Sequence, residues 1–145
     1  LEFLFYQSAT DKASVLRALN SLVSQTNIIL SVSDASLYNP ALAQDMLRLL
    51  FRQRKVMVGP SYNFVQAGAL YAIYTDFDEQ LRRTAVVLEA LKTKRILPPP
   101  SYPDQFKVSF NPYLVRSLGI VLPSSDYLQN QFGLCPESGC TKTAH

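Results

Sequence analysis

Tryptophan is absent from this chain, and its single histidine, His145, is the last residue. A Ser-His-Asp or Cys-His catalytic arrangement would have to be built on a chain terminus, which disfavours both. Cysteine is limited to Cys135 and Cys140, and their spacing, with His145 following, matches no common zinc pattern. No metal is expected. A disulfide closing the loop from Pro136 to Gly139 and a pair of free thiols both remain open readings of the two cysteines. Neither a GxGxxG fingerprint nor a P-loop consensus occurs, so a nucleotide-binding phosphate loop has no support, and no cofactor is expected. No apolar run reaches the roughly 18 to 20 residues needed to span a bilayer, and no signal peptide precedes the first apolar segment. The chain begins at Leu1 and enters an apolar run at once, so its natural start is expected to have been removed. Charge is also sparse: 14 Lys and Arg against 11 Asp and Glu give a formal net charge of +3, spread along the sequence. That is not the dense basic patch nucleic-acid binding requires, so a nucleic-acid partner is not expected.

What remains is apolar and patterned. The 145 residues are 48% hydrophobic, with 8 Phe and 8 Tyr, which suits one domain that folds by burial. Leu1, Phe3, Leu4, Phe5 and Tyr6 read as a strand, followed by Ser8, Thr10 and Asp11 as helix caps. Val15, Leu16, Leu19, Leu22 and Val23 share one face of a helix. The nearly unbroken apolar segment from Asn27 to Val32 predicts a strand buried on both faces of a parallel sheet. Asn39 and Pro40 start a second helix that buries Leu42, Met46, Leu49 and Leu50. Strands follow at Lys55 to Val58 and Ala69 to Tyr74, separated by a polar stretch from Ser61 to Gly68, with Gly59 and Gly68 as turn residues.

Thr75 is the expected cap of a third helix, with Asp78 as its capping-box partner and Phe77, Leu81, Ala85, Leu88 and Leu91 as its buried face. The acidic cluster Asp76, Asp78 and Glu79 is accounted for by the helix dipole. Four prolines between Leu97 and Pro103 enforce an extended connection. Phe106, Val108 and Phe110 alternate with Lys107 and Ser109, as in a half-exposed edge strand. Asn111 and Pro112 then open a helix that stops at Gly119, and beyond Gly133 the chain reads as a tail. Alternation of strand and helix predicts an α/β fold: a mostly parallel sheet with helices on both faces, a three-layer Rossmann-like arrangement.

Such sheets bind ligands at the carboxyl ends of their strands. Two polar stretches lie there: Ser33, Asp34 and Ser36 after one strand, and Ser61, Tyr62 and Asn63 after the next. Short polar side chains with one aromatic suit a small polar molecule, although turn chemistry and helix capping favour the same residue types.

The segment from Val56 to Thr75, VMVGPSYNFVQAGALYAIYT, continuing into DFDEQLRRTA, resembles the C-terminal half of the ABC-transporter substrate-binding protein family, which has aromatic amino-acid-binding members. The matching positions are Val65, Gly68, Ala69 and Leu70, then Asp76 and Phe77. Phe106 to Phe110, Asn111, Leu118, Gly119, Ile120, Leu122 and Pro123 match the family's later signature, in the same order. The similarity extends over about Leu1 to Leu128, with Leu81 in place of a helix glycine and Val115 in place of an alanine, as in a divergent member.

The resemblance implies a periplasmic-binding-protein-like lobe over residues 1–128, a fragment of a two-lobe protein, with residues 129–145 as a polar tail. It implies a non-enzymatic solute-binding component of an uptake system, periplasmic or otherwise extracytoplasmic, with an ABC permease as partner. An amino acid is one candidate solute. Asp34 would hold a ligand ammonium or hydroxyl in the cleft, with Ser61 and Tyr62 in the next loop. A fragment of this kind would leave apolar surface uncovered, so a homo-oligomer is one expected consequence. The alternatives are a sensor lobe of a regulatory protein, a family member without a transport role, and an enzyme whose catalytic groups lie elsewhere.

Overall fold

In a computed structural model the described residues are Leu4 and residues 11–34, 39–103 and 105–136. The expected first strand, the caps Ser8 and Thr10, and Ser36 therefore lie outside the described residues, Leu4 excepted. By internal packing the chain divides into two units, Leu1–Ala72 with Phe110–Ile120, and Ile73–Ser109 with Val121–His145.

In the first unit Asp11 caps α1 (Lys12–Val23), its carboxylate accepting from the Ser14 amide at 3.0 Å. After β1 (Ile28–Leu30), the Asn39 side chain accepts from the Leu42 amide at 2.9 Å and Pro40 supplies the first residue of α2 (Pro40–Arg52). Then come β2 (Val56–Gly59), α3 (Tyr62–Ala67) and β3 (Tyr71–Tyr74). The second unit carries α4 (Phe77–Lys94) and most of β4 (Phe106–Phe110). The chain returns to the first unit for α5 (Pro112–Ser117), then adds α6 (Ser125–Phe132) and β5 (Leu134–Pro136) to the second. The strands follow the order β1-β2-β3-β4-β5, with parallel pairing of β1 to β2, β2 to β3 and β4 to β5. This is the expected α/β fold, a mostly parallel sheet with helices packed around it.

The core of the first unit joins Val15, Leu19 and Val23 of α1 to Leu42, Met46 and Leu50 of α2, above Met57 of β2. Each such side chain, fully buried, contributes about 1.5–3 kcal/mol. Successive strands here are neighbours, and right-handed crossovers then place α2 and α3 on the same face of the sheet. Gly68 of the α3 turn lies against Leu47 of α2, as that geometry requires.

The same geometry corrects the reading of β1 as buried on both faces. Ile29 packs on the core, whereas Ile28 and Leu30 are each 60% exposed. The stretch from Ser61 to Gly68, read as a polar loop, is mostly the helix α3, anchored by buried Val65 and by Phe64 against the core. Gly59 is not a turn residue but the last residue of β2. A Cβ there would stand 2.5 Å from Phe64 Cβ, so α3 packs directly on its backbone. Gly68, at φ 126°, is the expected turn residue.

In the second unit the cap of α4 is Asp76 rather than Thr75, because the Asp76 carboxylate reaches the Glu79 amide at 2.9 Å. Phe77, Leu81, Leu88 and Leu91, the expected buried face of that helix, are exposed, and Glu79 is its buried residue. The β4 strand is not at an edge, since β5 pairs with it, Phe106 beside Leu134, and Ser109 is buried. Residue 128 falls inside α6, and β5 lies within what read as tail. Gly133, at φ 65°, ends α6 and turns the chain into that strand, where Cys135 is disulfide-bonded. The chain's other cysteine, Cys140, lies outside the described residues.

Candidate functional site

The parallel register sets Leu30 beside Val58, so the carboxyl ends of β1 and β2 are neighbours in the first unit. The last bond of this ladder runs from the Ser31 amide to the Val58 carbonyl at 3.0 Å. Beyond it, both chains leave the sheet at the same end. The first carries Ser33 and Asp34, both exposed, and the second carries half-buried Ser61 and Tyr62 and exposed Asn63. Thus the two polar stretches picked out by sequence emerge from adjacent strand ends.

Local chemistry fixes the second stretch. Ser61 takes an extended backbone before α3 and its carbonyl accepts from the Phe64 amide at 3.1 Å, but its side chain makes no capping bond. The hydroxyl is therefore not consumed by the helix it precedes. From its far side α3 is held by Asn111, whose Nδ2 donates to the Val65 carbonyl at 3.1 Å while its amide donates to the Leu70 carbonyl at 2.8 Å. The same side chain accepts from the amides of Tyr113 and Leu114 as the cap of α5. One asparagine thus ties α3, the residue that leads into β3, and α5 together.

A cavity of about 210 Å³ lies between the amino-terminal part of α2 and α3, lined by Pro40, Ala43, Gln44, Asn63, Phe64 and Ala67. Of the five described residues among the six picked out by sequence, Asn63 alone borders it. Ser33, Asp34, Ser61 and Tyr62 flank the same strand ends without lining the cavity. A volume of this size holds a molecule of a few heavy atoms, below the range of drug-sized pockets.

Sequence reasoning missed Ser31. Its side chain is 4% exposed and its hydroxyl has no hydrogen-bond partner among the described residues. Leaving such a group unsatisfied costs about 1–3 kcal/mol, so a buried orphan hydroxyl calls for a reason. The only signal in sequence is a serine interrupting an otherwise apolar strand segment, which the strand pattern absorbs.

The second unit holds a more strongly charged cleft of about 260 Å³ near the start of α4. Arg82 grips buried Glu79 through two bonds of 2.7 Å, and Lys107 pairs with Asp76. The Lys107 ammonium, followed by the Glu79 amide, holds the Asp76 carboxyl below its ordinary range. Glu79 and Asp76 thus each have a cation, and with Asp78 the cleft lining carries three carboxylates against two cations. The dipole account of this acidic cluster was therefore incomplete. Among the described residues no three His, Cys, Asp or Glu side chains gather in a way that could hold a metal, and no helix is long and apolar enough to cross a membrane.

No family model matches this sequence, and neither does any curated protein. Among solved structures the chain is similar to a conserved domain protein from Vibrio cholerae O1 biovar eltor, with a TM-score of 0.56 at 17% sequence identity. The similarity covers 80% of this chain and 39% of that one, so this chain spans well under half the length of the protein it resembles. At that identity the likeness shows the shared α/β fold.

Proposed function

We propose that this chain belongs to a solute-binding component of an ABC-type uptake system and takes a small polar molecule, an amino acid among the candidates, at the carboxyl ends of β1 and β2. The observation that carries the reading is the buried, unpartnered hydroxyl of Ser31 at the end of β1, next to two polar loops that leave the sheet together. Ser31 and Ser61 supply hydroxyls, Asn63 supplies an amide at the cavity wall, and Asp34 offers a carboxylate to a ligand ammonium or hydroxyl. No bond is made or broken. A further lobe would close over the strand ends, and the difference between open and closed forms would be what a permease partner reads, outside the cytoplasmic membrane.

Calorimetric titration of the protein with amino acids, nucleosides, sugars and short peptides tests the proposal. Once a solute is found, Asp34→Ala is expected to weaken its binding by roughly tenfold or more, the effect of losing a charge-assisted hydrogen bond. Ser31→Ala separates function from folding: it is expected to weaken binding while leaving stability unchanged or raised, because an unsatisfied hydroxyl is removed. Unchanged affinity in both variants, or no binding to any solute class, would refute the assignment.

A further inference from the structure

The α4 helix leaves its apolar side bare. Phe77 is 70% exposed, Leu81 52%, Leu88 58% and Leu91 40%, on an eighteen-residue helix whose buried residue is a glutamate. These positions are not scattered. From Phe77 the steps to Leu81, Thr84, Leu88 and Leu91 alternate between four and three residues, which is the seam of a coiled coil. Thr84, in the middle, donates its hydroxyl to the Gln80 carbonyl at 2.8 Å, so it needs no polar partner from across the seam.

We propose that α4 is a homodimerisation helix, packing antiparallel on the α4 of a second copy of this chain across a two-fold axis. Charge identifies the occupant. The first turn carries acidic Asp78 and the last turn carries basic Lys92 and Lys94. In an antiparallel pair the seam layers match Leu81 with Leu91 of the second copy and Thr84 with its Leu88. That register brings Asp78 opposite Lys92 of the second copy at one flank, and Gln80 opposite Lys94 at the other. It also sets Ala85 against Ala85 and Val87 against Val87 at the axis, where small or apolar side chains allow close approach. Each charge pair occurs twice by symmetry, and the two helix dipoles run head to tail. A parallel pair would instead bring each flank against the opposite flank, Gln80 with Ala85 and Val87 with Lys92 of the second copy, and would join no opposite charges.

Sedimentation equilibrium of the full chain across a concentration series gives the dissociation constant. Leu81→Lys and Leu88→Lys are each expected to weaken association by roughly 30-fold or more, as for buried anchor positions of an interface. Lys92→Glu, which opposes two acidic pairs, is expected to weaken it by roughly five- to tenfold, and Asp78→Lys in the same chain is expected to restore it. Under oxidising conditions Ala85→Cys is expected to form a disulfide-linked dimer, while Val86→Cys, on the side of α4 opposite the seam, stays monomeric. Circular dichroism confirms that each variant retains its helix content. A chain that is monomeric at every concentration overturns the proposal, as does a dimer indifferent to Leu81→Lys and Leu88→Lys. Failure of the charge swap to restore association overturns the antiparallel register.

Discussion

Gly59→Ala probes the contact that positions the β2 loop. The added Cβ would stand 2.5 Å from Phe64 Cβ and 3.3 Å from Ala69 Cβ, against an ordinary carbon separation of about 3.5–4.0 Å. Rotating the Phe64 ring cannot relieve this, because the clash is with the stem of the side chain. Instead α3 must retreat by about 1 Å, loosening Phe64 and Val65 from the core. Overpacking of this kind costs about 1–3 kcal/mol. Replacing glycine also restricts the unfolded chain, which offsets about 0.4–1 kcal/mol. The net expectation is a loss of about 1–2 kcal/mol, a fall of roughly 4–8 °C in melting temperature per kcal/mol for a unit of this size. Urea unfolding followed by circular dichroism measures it. Since α3 begins immediately after Ser61, its retreat is also expected to weaken solute binding. A Gly59→Ala protein as stable as the parent would show that α3 does not pack on the β2 backbone.

Further expectations concern caps, charge and the bare sheet face. Asn111→Ala removes the α5 cap and the bond to the Val65 carbonyl, and is expected to lose about 1–3 kcal/mol in urea unfolding; a loss below half a kcal/mol would sink the clasp. Leu50→Ala, within the core between α1, α2 and β2, is expected to cost about 2–5 kcal/mol by the same assay, and a smaller loss would mean the site collapses freely. Leu30→Thr, on the bare face of β1, is expected to fall within about 0.5 kcal/mol of the parent, whereas burial on both faces would make it several-fold more costly. The Asp76 carboxyl is held low in the folded chain, so the stabilisation from its partners is present above the ordinary carboxylate pKa and is lost as pH falls through the lowered folded value. Lys107→Met should move the Asp76 titration upward in carboxyl-carbon NMR, and an unmoved titration would show that Lys107 is not the cause.

Much of this architecture is written locally. Asn39 with Pro40 and Asn111 with Pro112 announce the starts of α2 and α5, because a short polar acceptor before a residue with a fixed φ satisfies the orphan amides of a first turn. Apolar spacing along α1 and α2 names their buried faces correctly, since both pack on one side of the sheet. The polar stretches after β1 and β2 are likewise legible, as is the alternation of strands and helices that makes the fold α/β.

What sequence could not decide is which apolar surfaces find a partner. An unbroken apolar run looks the same whether one face or two are covered, and for β1 the answer depends on consecutive right-handed crossovers that put α2 and α3 on one side. The stripe on α4 has the spacing of a buried face, but spacing records only that residues lie together, not what lies against them. Tertiary structure also converted Asp76 from a dipole residue into the partner of Lys107, beyond the whole of α4 in sequence, and brought Leu134–Pro136 alongside β4. It singled out Ser31, whose buried hydroxyl without a partner is a property of its surroundings and not of its neighbours in the chain. Caps, turns and periodicity depend on residues within about one helical turn, and sequence determines them; burial, ion pairing and the sharing of a strand end depend on contacts between distant segments, which exist only once the chain has folded.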